Sequence, residues 1–102
     1  ELVYIMLLNT RGALIRDILI SQGTVNSSVV SPREIFIEAV KHRAVSLVLV
    51  HNHPSGDPSP SKQDLSLTRR VKEAGDLIGI RLLDHIIIGD NSYVSLKERG
   101  VL

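Results

Sequence analysis

The residues best able to do chemistry lie just past the middle of the chain. His51 and His53 follow an apolar run at residues 45–50. If a strand continues through both histidines, the i and i+2 side chains share one face and the imidazoles can converge. Asp64 stands in the first turn of a helix predicted to begin at Ser61. Two imidazoles and one carboxylate form a three-ligand zinc site whose fourth position is open to water.

The same residues also have plainer interpretations. The pattern Ser61-x-x-Asp64 before an apolar run is typical of a capping box, which satisfies helix N–H groups without a metal. An H-x-H pair alone is weak evidence, but the pair followed by a proline-rich loop and an acidic helix start favours a metal site. Other metal motifs are absent: there is no H-E-x-x-H, and the zinc deaminase pattern requires cysteine.

The composition excludes several classes of protein. The 102 residues include no cysteine, which rules out a disulfide scaffold, a Cys-rich zinc site and a thiol nucleophile. Twelve Lys and Arg against 11 Asp and Glu give a net charge of +1, too small to indicate a nucleic-acid or membrane partner. No run approaches the ~20 apolar residues of a membrane span, and a signal-peptide pattern is missing. We therefore expect a cytoplasmic protein.

The elements that must position these residues begin with a predicted β-hairpin. Two apolar runs, at residues 2–8 and 13–20, flank an Asn-Thr-Arg-Gly turn, and residues 25–30 suggest a further short strand. Ser31, Pro32 and Glu34 then predict a helix start, with Ser31 as the N-cap and Glu34 completing a capping box. The short apolar run before His51 is typical of a strand buried on both faces.

A second helix is predicted from Ser61 to a stop at Gly79. A long strand at residues 80–88, a turn and a returning strand at 92–96 follow it. We expect a single α/β domain over residues 1–102, built as a mixed sheet with helices packed on it. Because the chain begins with Glu1 rather than Met, we expect it to be the C-terminal part of a longer protein. The predicted apolar stripe of the second helix consists of Leu65, Thr68, Val71, Ala74, Leu77 and Ile78.

The spacing around the histidines resembles a defined family motif. The JAMM motif of the MPN metalloproteases reads H-x-H, seven residues, S, two residues, D, and His51, His53, Ser61 and Asp64 keep every interval. The stretch HNHPSGDPSPSKQD is similar to that of the bacterial RadC-like proteins, as are Gly-Thr at 23–24, Pro-Arg-Glu at 32–34, Asp-His-Ile-Ile-Ile-Gly at 84–89 and Ser-Leu at 95–96. The resemblance covers essentially the whole chain and implies an MPN fold.

The resemblance also implies roles for individual residues. His51, His53 and Asp64 would hold one Zn²⁺, with water as the fourth ligand, and Ser61 would donate a hydrogen bond to the oxyanion of the substrate. JAMM proteins carry a catalytic glutamate before a hydrophobic strand, and Glu1 precedes such a run, so it is the candidate base. Other candidates for the base are Glu34, which a capping box already explains, and Glu38 on the same helix. Residues expected to support the ligands are Asn52, Asp84 and His85.

Three functions compete at this point. The first is a zinc-dependent hydrolase acting on a protein or peptide substrate, either a peptidase or an isopeptidase. The second is a DNA-repair module, the traditional label of RadC-like proteins, which the near-neutral charge and 3% aromatic content do not support. The third is a non-catalytic MPN scaffold that binds partners, against which the retained metal ligands argue.

Overall fold

One mixed sheet carries the residues singled out above. The computed structural model describes residues 1–22 and 30–102. The strands are β1 (Leu2–Leu8), β2 (Leu14–Gln22), β3 (Ser46–Asn52), β4 (Arg81–Ile88) and β5 (Tyr93–Ser95), and the helices are α1 (Pro32–Lys41) and α2 (Lys62–Ile78). The strand order is β2-β1-β3-β4-β5. The predicted α/β class with a mixed sheet is confirmed.

The directions of the strands determine which strand ends lie side by side at each edge of the sheet. β1 pairs antiparallel with both β2 and β3, and β4 pairs antiparallel with β5. β3 and β4 are parallel and are connected through α2, so this part of the chain is a β-α-β unit. In the register of the three central strands, His51 of β3 lies between Val3 of β1 and Ile87 of β4. The C-terminal end of β3 is therefore held on both sides.

The helix boundaries follow from their caps. Ser31 precedes α1 and Ser61 precedes α2, each with an extended backbone that suits an N-cap. Gly79 ends α2 in the left-handed conformation (φ 88°), which glycine adopts without a Cβ penalty. The capping box predicted at Ser31 is wrong in its bonding, because Ser31 Oγ accepts from the N–H of Arg33 at 3.2 Å rather than from that of Glu34.

The core lies between the two helices and one face of the sheet. Alternate residues of β1 and β3 pack there against the buried faces of α1 and α2. The residues of this cluster with no exposed surface are Val3, Ile5, Leu7, Val30, Ile35, Ala39, Leu47, Leu49 and Val71.

Two sequence predictions about burial are wrong. β3 is not buried on both faces: Leu47 and Leu49 are buried, but Val48 and Val50 are half-buried, because the helices cover only the face that carries the former pair. In α2, Leu77 is 90% exposed, since it lies off the face shared by the residues at positions 64, 67, 68, 71 and 75. The strand predicted at residues 25–30 falls, apart from Val30, outside the described residues.

Within the described parts of the chain, neither helix combines the length and the apolar character needed to cross a bilayer.

Candidate metal centre

The C-terminal end of β3 presents the two histidines. His51 belongs to the strand and shares the buried face of Leu47 and Leu49, so its side chain is only 1% exposed. His53 follows directly after the strand, and its backbone N–H donates to the carbonyl of Ile88 in β4 at 2.9 Å. The two Nε2 atoms lie 3.1 Å apart. The i and i+2 spacing therefore brings both imidazoles to one point.

The first turn of α2 brings the carboxylate to the same point. Asp64 Oδ1 lies 3.1 Å from His51 Nε2, and Asp64 Oδ2 lies 3.0 Å from His53 Nε2. The capping box forms as well: the Asp64 N–H donates to Ser61 Oγ at 3.1 Å, and the Ser61 N–H donates to Asp64 Oδ2 at 2.8 Å. The capping and metal-site interpretations of Ser61 and Asp64 are therefore compatible, because the box holds the carboxylate where it faces both imidazoles.

The environment of Asp64 keeps it ionised. Burial opposes the charge, but the neighbouring His51 and the Ser61 N–H, which donates to the carboxylate, together hold the pKa of Asp64 well below its usual range. A buried carboxylate is thus available as an anionic ligand.

The tautomer of His53 suits metal binding. Its Nδ1 lies 2.8 Å from the backbone carbonyl oxygen of Asp57. Since a carbonyl only accepts, Nδ1 must carry the hydrogen, and in neutral His53 the lone pair is then on Nε2, facing His51 and Asp64. This pairing with a carbonyl is the arrangement that metal-binding histidines usually have.

The donor set fits a cation. Three contacts of 3.0–3.1 Å join the two Nε2 atoms of His51 and His53 to each other and to the two carboxylate oxygens of Asp64. Around a tetrahedral zinc ion with bonds of 2.0–2.1 Å, neighbouring ligand atoms are roughly 3.3 Å apart. These three residues could therefore hold a metal ion with little rearrangement.

Ser61 and Glu1 face the same open cleft. Its volume is about 330 Å³, and both residues line it together with His53 and Asp64. Ser61 Oγ accepts the Asp64 N–H through a lone pair and so keeps its own proton for another acceptor. Glu1 is the first residue before β1, which starts beside the end of β3.

Asn52 has a different role from the one expected. Its Oδ1 accepts the backbone N–H of Leu2 at 2.7 Å. The side chain therefore fixes the start of β1, next to Glu1, rather than a metal ligand or the proline-rich loop. The loop is held instead by backbone contacts with the β4–β5 turn, where the Asp90 N–H donates to the Gly56 carbonyl at 2.9 Å. A Cβ on Gly89 would collide with the same carbonyl oxygen, so glycine is required at this contact.

The side chains of Asp84 and His85 lie on opposite faces of the sheet, because neighbouring residues of a strand point to opposite faces. The Asp84 carboxylate accepts from Ser95 Oγ at 2.6 Å and from the Lys97 N–H at 3.0 Å, so it supports the C-terminal turn and not the ligands as expected. His85 is fully buried, and its Nε2 lies 2.8 Å from His51 Nδ1. Burial, with His51 as the next cause, lowers the pKa of His85 to about 3, so the ring is neutral.

Sequence reasoning missed Thr68. The sequence pattern predicts only that this residue belongs to an apolar stripe, yet its hydroxyl contacts His85 Nδ1 at 2.6 Å and donates to the backbone carbonyl of Asp64 at 2.7 Å. Its position four residues after Asp64 on α2 places it on the same helix face, which is the one signal that could have identified it.

The chain is similar to known proteins over its whole length. A family model described as RadC-like JAB domain matches residues 1–101. The chain is similar to a UPF0758 protein of Pelobacter propionicus (54% identity over 102 residues) and to a UPF0758 protein of Clostridium botulinum strain Hall (58% over 104 residues). Both matches cover 100% of this chain but 44% and 45% of the relatives. The chain thus spans somewhat less than half the length of these curated relatives.

Proposed function

The chain belongs to the RadC-like JAB domain family, and from this premise we propose that it is a zinc-dependent metallohydrolase that cleaves an amide bond in a peptide or isopeptide. The observation that carries the proposal is the meeting of His51, His53 and Asp64 at 3.0–3.1 Å, where His53 and Asp64 line an open cleft. Three protein ligands of nitrogen and oxygen, with one side open to solvent, are typical of catalytic rather than structural zinc sites.

The ligand set suits one zinc ion. When bound at such a site, zinc lowers the pKa of a water molecule to about 7 and polarises the substrate carbonyl. The absence of cysteine in the chain leaves only nitrogen and oxygen donors for it. His51 and Asp64 are almost fully buried, so the ligands are held by the fold before any substrate arrives.

Ser61 stabilises developing charge in this proposal. Its hydroxyl lines the cleft beside Asp64 and retains a proton to donate. A substrate carbonyl oxygen that gains negative charge on the cleft side would accept that proton in a hydrogen bond. Loss of one such donor typically lowers turnover by roughly 10²–10³-fold.

Glu1 moves the proton. A carboxylate on the cleft wall can take a proton from the attacking water and pass it to the leaving amine. The Asn52–Leu2 hydrogen bond fixes the residue after Glu1 at the end of β3, and Glu1 lines the cleft together with His53. Glu34 is exposed in the first turn of α1 and does not line the cleft, so it is not the base in this proposal.

The metal is tested first. We expect purified protein to contain about one equivalent of zinc, and chelation followed by zinc addition to lower and then restore its unfolding temperature. Elemental analysis and thermal denaturation measure the two effects. A protein without zinc that gains no stability from added zinc would disprove the proposal.

The chemistry is tested with Glu1→Gln. We expect the variant to keep its zinc and to lose roughly 10²–10⁴-fold in turnover on any substrate found in a panel of peptides and isopeptide-linked peptides. Glu73→Gln, which changes an exposed glutamate of α2, serves as the control and should match the wild type. Unchanged turnover in Glu1→Gln would remove Glu1 from the mechanism, whereas zinc-loaded wild type with no hydrolysis across the panel would favour a non-catalytic scaffold.

A further inference from the structure

Behind the candidate metal centre, a hydrogen-bond chain connects His51 to Asp64 through the protein interior. His51 Nδ1 lies 2.8 Å from His85 Nε2, and His85 Nδ1 lies 2.6 Å from Thr68 Oγ1. Thr68 Oγ1 in turn donates to the backbone carbonyl of Asp64 at 2.7 Å. His85 is 0% exposed and Thr68 1%, so no water competes for these bonds.

The donor and acceptor of every bond in this hydrogen-bond chain follow from the bond between Thr68 and the Asp64 carbonyl. A hydroxyl has one proton, and that of Thr68 is committed to the Asp64 carbonyl. Thr68 Oγ1 must then accept from His85, which places the hydrogen of the neutral ring on Nδ1 and the lone pair on Nε2. His85 Nε2 accordingly accepts from His51 Nδ1.

The consequence reaches the metal centre. Once His51 carries its hydrogen on Nδ1, its Nε2 lone pair faces Asp64 Oδ1 at 3.1 Å and His53 Nε2 at 3.1 Å. We propose that His85 and Thr68 are positioning residues that lock His51 in the tautomer able to bind metal. The inference rests on the proposed metal site and deepens it, because it assigns a function to two residues that touch neither metal nor substrate.

The arrangement has a feature that simple satisfaction of buried polar atoms does not require. A buried histidine pair can be satisfied in either of two opposite directions. Here the carbonyl that sets the direction belongs to Asp64, and the carboxylate of the same residue faces His51 Nε2 at the other end of the hydrogen-bond chain. His85 of β4 therefore links the first turn of α2 to the end of β3. In this way the backbone of Asp64 orients the side chain of His51.

Thr68→Val tests the proposal, since valine keeps the branched shape and removes the hydroxyl. We expect its zinc dissociation constant, measured by competition with a chelating indicator, to rise about 10–100-fold, the usual cost of losing a group behind a ligand. Thr68→Ser restores the hydroxyl and should return affinity to near the wild-type value. Val71→Ala serves as the control, because Val71 lies on the buried face of the same helix but outside the hydrogen-bond chain. This variant should lower the unfolding midpoint and leave zinc affinity unchanged.

The second readout needs no metal. Long-range ¹⁵N–¹H spectra of the imidazoles in zinc-free wild type should show His51 as the Nδ1–H tautomer, and Thr68→Val should give a mixture. Wild-type His51 with its hydrogen on Nε2, or Thr68→Val with wild-type zinc affinity, would overturn the proposal. A wild type that binds no zinc but shows the Nδ1–H tautomer would instead contradict the metallohydrolase and leave the positioning role standing.

Discussion

The two helices begin with the same sequence pattern but differ in what the pattern does. Ser31 and Glu34 open α1, and Ser61 and Asp64 open α2, with the same spacing. At α1 the serine accepts from Arg33 and the glutamate is exposed. At α2 both bonds of a capping box form, and the aspartate is 4% exposed.

The difference comes from what lies beside each helix start. α2 begins after a loop that turns back from β3, so its first turn meets the two histidines at the end of that strand. A capping box leaves one carboxylate oxygen uncommitted; Asp64 Oδ1 points to His51 while Oδ2 accepts the cap N–H. Among residues 1–22 and 30–102, Glu34 belongs to no comparable group of histidines and carboxylates. The pattern specifies a helix start, and its surroundings decide whether the start also serves a metal site.

The largest expected effect separates the two acidic residues. Asp64→Asn should reduce zinc affinity by more than the roughly 10–100-fold cost of disturbing a group behind a ligand, because it removes an anionic ligand itself. Hydrolysis should be lost with it. Glu34→Gln, the matched change at α1, should leave zinc content and turnover at wild-type values. Elemental analysis and indicator competition measure the effect, and equal zinc affinity in the two variants would break the comparison.

The next effect separates the two serines. Ser61→Ala and Ser31→Ala should each lower the free energy of unfolding by about 1 kcal/mol, the usual cost of losing an N-cap side chain. Only Ser61→Ala should also lower turnover, by roughly 10²–10³-fold, since only Ser61 lines the cleft. Urea denaturation and steady-state assays with saturating zinc give the two quantities. If both serines affected turnover alike, the assignment of Ser61 as a donor to substrate would be wrong.

The last expected effect is a pH dependence of the free energy of unfolding that comes from the buried His85. The pKa of His85 is about 3 in the folded protein and 6.5 ordinarily, so between these pH values the unfolded chain binds a proton that the folded chain excludes. Stability should therefore fall as pH decreases from 6.5 towards 3, by up to about 1.4 kcal/mol per pH unit from this residue.

Urea denaturation of zinc-free protein at pH 7, 6 and 5 measures that slope. His85→Leu should flatten it, whereas Val71→Ala should lower stability at every pH and keep the wild-type slope. Identical slopes in wild type and His85→Leu would show that burial of His85 does not control the pH dependence.

Much of the fold could be predicted from local patterns. Apolar runs predict the five strands found in the described residues, with ends displaced by at most two residues, and Ser31, Ser61 and Gly79 mark helix ends that the structure confirms. Burial was predicted less well. Leu77 and Val48 have apolar side chains that the core does not cover, because the helices pack on one sheet face only.

The supporting residues of the site could be predicted only in part. The sequence predicts that Asn52 and Asp84 support the ligands, but their actual partners, Leu2 and the Ser95–Lys97 turn, depend on strand pairing and could not be deduced from spacing. Thr68 was overlooked because threonine in an amphipathic helix usually needs no special explanation.

By itself the sequence determined the ligand types, their intervals and the elements that carry them, because these depend on periodicity, capping and side-chain chemistry within short stretches. The tertiary structure decided which groups stand behind the ligands. His51 and His85 are 34 residues apart in the chain, and His85 and Thr68 are 17 apart. Contact among these three residues depends on the register of β3 with β4 and on the position of α2 against these strands. Both arise from tertiary packing and not from local sequence.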